Sequence, residues 1–132
     1  MAKTVDEGKT RVLGILFEST PVDNTLYLGL YTDTTEPAET DGLADITELE
    51  GDGYARMPLT RGSWTVEDDL VSYAQQAFTA EEVWEDDVYG YFIATSSDNT
   101  GKLLFVEHFS DGPYTISNIG DRILVTPKVS LI

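Results

Sequence analysis

The chain has 132 residues, enough for one domain that buries about two-thirds of its unfolded surface. It carries 24 acidic against 8 basic residues, a formal net charge of −16, and no cysteine. The charge argues against binding to nucleic-acid phosphates or anionic membranes, and the missing thiols exclude disulfides, thiolate nucleophiles and thiolate metal sites.

An apolar content of 41% is that of a globular protein. No apolar run reaches the roughly 20 residues needed to cross a bilayer. Residues 1–7 lack the apolar core of a secretory signal, so a soluble chain is expected.

The first element predicted is a short helix or an extended arm within residues 1–20. From Lys9 to Glu18, Val12, Ile15 and Leu16 fall at helical spacing, with Leu13 and Phe17 overlapping them. Thr20-Pro21 would stop a helix, and Gly14 weakens one by about 1 kcal/mol relative to Ala. The segment reads as a lid packed on the domain or as an arm that orders against a neighbouring subunit.

Residues 21–132 read as strands and turns. Leu26 to Thr32 alternates, with Leu26, Leu28 and Leu30 on one face and Tyr27 and Tyr31 on the other. Asp33 to Asp52 follows, with eight carboxylates and no base. Such a run is read as solvated loop, with a cation site or a docking face as the sharper alternative. It lacks the spacing of an EF-hand. Gly53 before Tyr54 suggests a bulge or positive φ, and Arg56, one of only two bases between Arg11 and Lys102, is expected to be held by local carboxylates.

Weaker strands are predicted at 56–59, 63–66, 70–74 and 76–79. A second acidic run, with eight carboxylates and no base, spans Glu67 to Asp87. Val88 to Ala94 is aromatic and β-branched throughout, as a strand covered on both faces would be. Gly90 within it would let a backbone or ring approach closely. Asp98-Asn99-Thr100-Gly101 then marks a hairpin turn into a strand from Leu103 to Phe109. Strands at 123–126 and 129–132 close the chain, with Pro127 suiting an edge or bulge between them. Six to eight short strands after a short N-terminal helix or arm predict an all-β protein, a β-sandwich or jelly roll.

Catalytic chemistry finds little footing. His108 is the one histidine, and without cysteine it builds neither a conventional triad nor a multi-histidine zinc site. A hydrogen-bonded strand histidine is the expectation. No serine sits in a Gly-x-Ser-x-Gly elbow, and no Gly-rich phosphate loop occurs. Two carboxylates would suffice for glycoside hydrolysis, but among 24 acids a close pair is uninformative. The chain is read as a non-enzyme, with no catalytic residue, no cofactor and no metal ligand assigned. The aromatics fill a core or anchor an interface, where Tyr and Trp are enriched. The candidate interface residues are Val12, Leu13, Leu16, Phe17, Trp84 and Tyr91.

The order of motifs adds a resemblance. Leu26-Tyr27-Leu28-Gly29-Leu30-Tyr31-Thr32 leads into Thr34-Thr35-Glu36-Pro37, and an acidic loop ends in Gly53-Tyr54-Ala55-Arg56. Val88-Tyr89-Gly90-Tyr91-Phe92-Ile93, Gly112-Pro113, Gly120-Asp121 and Val125-Thr126-Pro127-Lys128-Val129 follow in turn. From about residue 8 to 132 this resembles small structural proteins of tailed bacteriophages, the capsid cement or decoration proteins and tail-fibre-like proteins. The resemblance implies a β-sandwich that oligomerises on the virion and transfers no catalytic residue. The function it implies is a cement protein that binds the major capsid protein lattice of the phage head after assembly in the host cytoplasm. It would associate with itself as a homodimer or homotrimer, with no nucleic acid and no membrane as partner. The alternative is a tail or baseplate module that contacts the host receptor.

Overall fold

Alternating apolar positions become strands in a computed structural model that describes residues 2–130. Among the described residues ten strands and one α-helix follow in order: β1 Lys3–Thr4, α1 Asp6–Phe17, β2 Thr25–Tyr31, β3 Met57–Thr60, β4 Thr65–Glu67 and β5 Leu70–Ser72. They continue with β6 Gln76–Thr79, β7 Gly90–Ala94, β8 Leu103–His108, β9 Arg122–Val125 and β10 Lys128–Ser130. The protein is therefore mostly β, with one helix near the N-terminus and several antiparallel sheets. No helix among the described residues is long and apolar enough to cross a membrane.

The five-stranded sheet has the order β1-β8-β7-β2-β3. A three-stranded sheet runs β10-β5-β4, and β6 pairs with β9 alone. Every named strand pair is antiparallel. The turn at 98–101 joins β7 to β8 as the sequence predicted, with Thr100 donating its backbone N–H to Asp98 Oδ1 at 2.9 Å. The two-residue turn between β4 and β5 holds Asp68 at φ 54°, a left-handed geometry that Asp tolerates better than most residues.

Register explains the core. Leu28 and Leu30 lie opposite Ile93 and Tyr91, so these four side chains share one face of the large sheet. There they join Leu59, Phe78, Ile123, Val125 and Val129, a cluster that draws on all three sheets. The opposite face carries Tyr31, Phe92, Ala94, Leu103 and Val106, covered by Val5 and Leu43. All five residues of β7 are buried, which is why its sequence shows no polar alternation. Two glycines fit the same logic: a Cβ on Gly90 would overlap the Glu107 carbonyl oxygen and the Tyr31 hydroxyl, and Gly53 sits at φ 91°.

The N-terminus is built into this scaffold. Lys3 and Thr4 pair with Val106 and Phe105, and Ala2 bridges Val129 in parallel, so β1 links the large sheet to the three-stranded one. The helix begins at Asp6, three residues before the segment read as helical from Lys9. Its first turn holds Glu7, whose Oε1 accepts the backbone N–H of Leu43 at 3.3 Å and of Leu103 at 3.1 Å. That carboxylate fastens the helix to β8 and to the short 3₁₀ turn at Leu43–Asp45. The predicted strand at 129–132 is present to Ser130, and its last two residues lie outside the described ones.

Candidate interaction surface

The helix buries its glycines and exposes its leucines. Gly8 lies so close to β8 that a Cβ would overlap the Leu104 carbonyl, and Gly14 is covered by Thr20 as the chain turns back. These two are the buried residues of α1, whereas Leu13, Leu16 and Phe17 are 56%, 66% and 78% exposed. Gly8 lets the helix backbone settle against β8, Gly14 lets the chain fold back over the helix at Thr20, and Leu13, Leu16 and Phe17 are left outward. Large apolar side chains scattered singly on a surface are ordinary, but two leucines and a phenylalanine within one and a half turns of a helix form a patch.

Beside this patch runs an open groove with a volume of about 570 Å³. Val12 and Ile15 of α1 form one wall, and Val66 and Val71 of the β4–β5 hairpin form another. Leu26, Leu59, Trp64 and Phe105 contribute from the strands and the loop between them. Val22 and Val66, 43% and 68% exposed, extend the apolar surface toward the rim. Charged groups stand at its edges. Arg11 forks onto Asp23, with Nε and Nη2 at 3.0 and 2.7 Å from the two carboxylate oxygens, while Arg61, Asp68 and Asp69 also line the groove. Hydrogen bonding to Asp23 raises the Arg11 pKa further above its already high value.

The structure divides the six expected interface residues. It brings Val12, Leu13, Leu16 and Phe17 together on one helix at the surface. It removes Trp84 and Tyr91, which are 2% and 1% exposed and belong to the core. Trp84 packs edge-on against Tyr54 and donates its indole N–H to the Asp52 carbonyl at 3.0 Å. Tyr91 faces Leu30 across β2, and the Lys128 N–H approaches its hydroxyl at 3.4 Å. Both rings satisfy their polar atoms internally, so neither is free to anchor a partner. Val22 went unread because an isolated apolar residue carries no periodic signal, and Trp64 and Val66 read only as part of a strand, since their spacing does not say which face stays open.

Three of the eight carboxylates in the acidic run 33–52 bind backbone N–H groups of the run itself. Asp33 accepts the Thr47 N–H at 2.8 Å, Asp41 the Ala38 N–H at 2.8 Å and Asp45 the Gly42 N–H at 2.9 Å. Glu48 takes both prongs of Arg56, at 2.9 and 2.8 Å, the local carboxylate expected to hold that base. The Arg56 side chain is 3% exposed, lies 5.0 Å above the Phe92 ring and also donates to the carbonyls of Ser96 and Asp98. Among the described residues no group of three or more His, Asp or Glu side chains is placed to hold a metal ion.

His108 sits between the rings of Tyr31 and Tyr89, each 5.9 Å away, and its Nδ1 shares a 2.8 Å hydrogen bond with the Tyr31 hydroxyl. It is a bonded strand histidine, as expected. No protein-family model and no curated protein matches the chain.

Proposed function

We propose that this chain is a structural protein of a tailed-bacteriophage virion, a cement or decoration protein that seats on the major capsid protein lattice and stabilises the head. The observation that carries the reading is the helix that buries glycine and leaves Leu13, Leu16 and Phe17 in water. Covering such a patch on a neighbouring protein contributes about 25 cal/mol per Å² of apolar area removed from water. The −16 charge keeps the chain away from packaged DNA and suits basic partners. Many copies on a repeating lattice make weak individual contacts effective together.

The resemblance in motif order supports the virion setting, and the chain acts without catalysis, as a homodimer or homotrimer. The finer architecture belongs to the same proposal: the five-stranded sheet on one side and the two smaller sheets on the other form a β-sandwich of jelly-roll type. Support for it lies in the cluster shared by all three sheets and in neighbours distant in sequence, such as β10 with β5 and β6 with β9. Cryo-electron microscopy of the particle that contains this chain tests the function. Density repeated over the head at a copy number near that of the capsid protein is expected. Density on the tail alone would overturn the capsid reading and favour a receptor-contacting tail module.

A further inference from the structure

We propose that the groove between α1 and the β4–β5 hairpin is a self-docking site, filled by the same groove of a second copy of this chain across a two-fold axis. The inference rests on the self-association in the proposed function and names the face that carries it. Its first support is apolar surface: Val12, Ile15, Val22, Val66 and Val71 line a cleft open to solvent. Val66 stands on a strand yet is 68% exposed, so the fold itself gives it nothing to pack on.

Charge selects the occupant. The whole chain has one base for every three acids, 8 against 24. The groove is lined by Arg11 and Arg61 against Asp23, Asp68 and Asp69, a net charge of −1. Two copies that repel one another through charges of −16 therefore meet least opposition here. A basic partner would find a better match on the acidic surface elsewhere, and an acidic one would be repelled by the field of the whole molecule.

The rim is also self-complementary. Arg11 is already bonded to Asp23, but among the described residues Arg61, Asp68 and Asp69 make no ion pair. In an isologous contact residue i of one copy meets residue j of the other, and j meets i. Arg61 facing the Asp68–Asp69 tip of the second copy forms that exchange twice. Apolar walls pack along the axis between the two sets of charges.

Sedimentation velocity of the purified full chain over a range of concentrations tests this, with circular dichroism to check the fold of each variant. The wild-type chain is expected to form a dimer. Val66→Glu, Arg61→Glu and Asp69→Arg should each weaken it about tenfold or more in Kd. The double change Arg61→Glu with Asp69→Arg reverses both partners and should return Kd to within about threefold of the wild type. A monomer at every concentration, a trimer, a dimer unmoved by the single changes, or a double change that fails to restore it would overturn the proposal. No phage particle enters this measurement, so its failure and failure of the virion reading are told apart.

Discussion

Arg56 and Glu48 form the most enclosed charged contact near the acidic loop. Arg56 uses its fork on Glu48 and spends its remaining donors on the Ser96 and Asp98 carbonyls and on Asn99, so it joins the loop to the β7–β8 turn. Arg56→Met would strip Glu48 of its cation, leaving it the Tyr54 hydroxyl as donor, and would take one donor each from the Ser96 and Asp98 carbonyls. Urea denaturation should register a loss of about 3 kcal/mol, the low end of the range for a broken buried pair, because Glu48 remains partly exposed. Three tyrosines, Tyr31, Tyr54 and Tyr91, have hydroxyls whose pKa burial pushes well above the ordinary value near 10. The phenols of the unfolded chain ionise near pH 10 while these stay protonated, so the folded state binds more protons above that pH. Stability is thus fully present below about pH 10 and is lost as pH rises beyond it. Phenolate absorbance during an alkaline titration should show at least three of the seven tyrosines ionising only as the fold melts. Smooth titration of all seven with the fold intact would contradict the burial assigned to them.

At the scale of elements, the close approach of α1 to β8 is the contact that decides which helix face is exposed. Gly8→Ala makes the test because its two effects have opposite signs. Alanine favours a helix by about 1 kcal/mol over glycine, yet its methyl group would meet the Leu104 carbonyl. A net loss of about 1–3 kcal/mol by denaturant unfolding is expected, and a gain would mean that the helix does not lie on the sheet. Much of this element plan was legible in the sequence. The alternation of Leu26, Leu28 and Leu30 against Tyr27 and Tyr31 gave β2 and its faces, and turn residues gave the β7–β8 hairpin. Two-residue β1 has too little sequence for any period to show, and α1 starts under Val5 without a side-chain cap, so its beginning carried no signal. Glu7 looked like a solvated acid because its role depends on backbone donors 36 and 96 residues away. The candidate surface was half legible for a related reason. Periodicity places Leu13, Leu16 and Phe17 on a helix, but only packing decides that glycines take the inner face and that Trp84 and Tyr91 go inside.

For the whole molecule, the governing quantity is a −16 charge on a chain of 132 residues. Self-repulsion opposes both folding and association, and salt screens it over roughly 10 Å at 0.1 M. Thermal unfolding should therefore shift to higher temperature as sodium chloride is raised, and self-association should strengthen. The reverse trend would mean that exposed ion pairs such as Lys9 with Glu39 outweigh the net repulsion. Under the proposed function, the exposed helix face binds a protein lattice while contributing little to the fold. Leu16→Gln combined with Phe17→Gln separates the two, since substitutions at exposed positions usually change stability by less than about 0.5 kcal/mol. The most direct measurement is co-sedimentation of the purified chain with phage heads stripped of it. Saturable binding near capsid-protein stoichiometry that the double variant loses, with its unfolding unchanged, is the result predicted. Absence of binding by the wild-type chain, or equal binding by the variant, would contradict it.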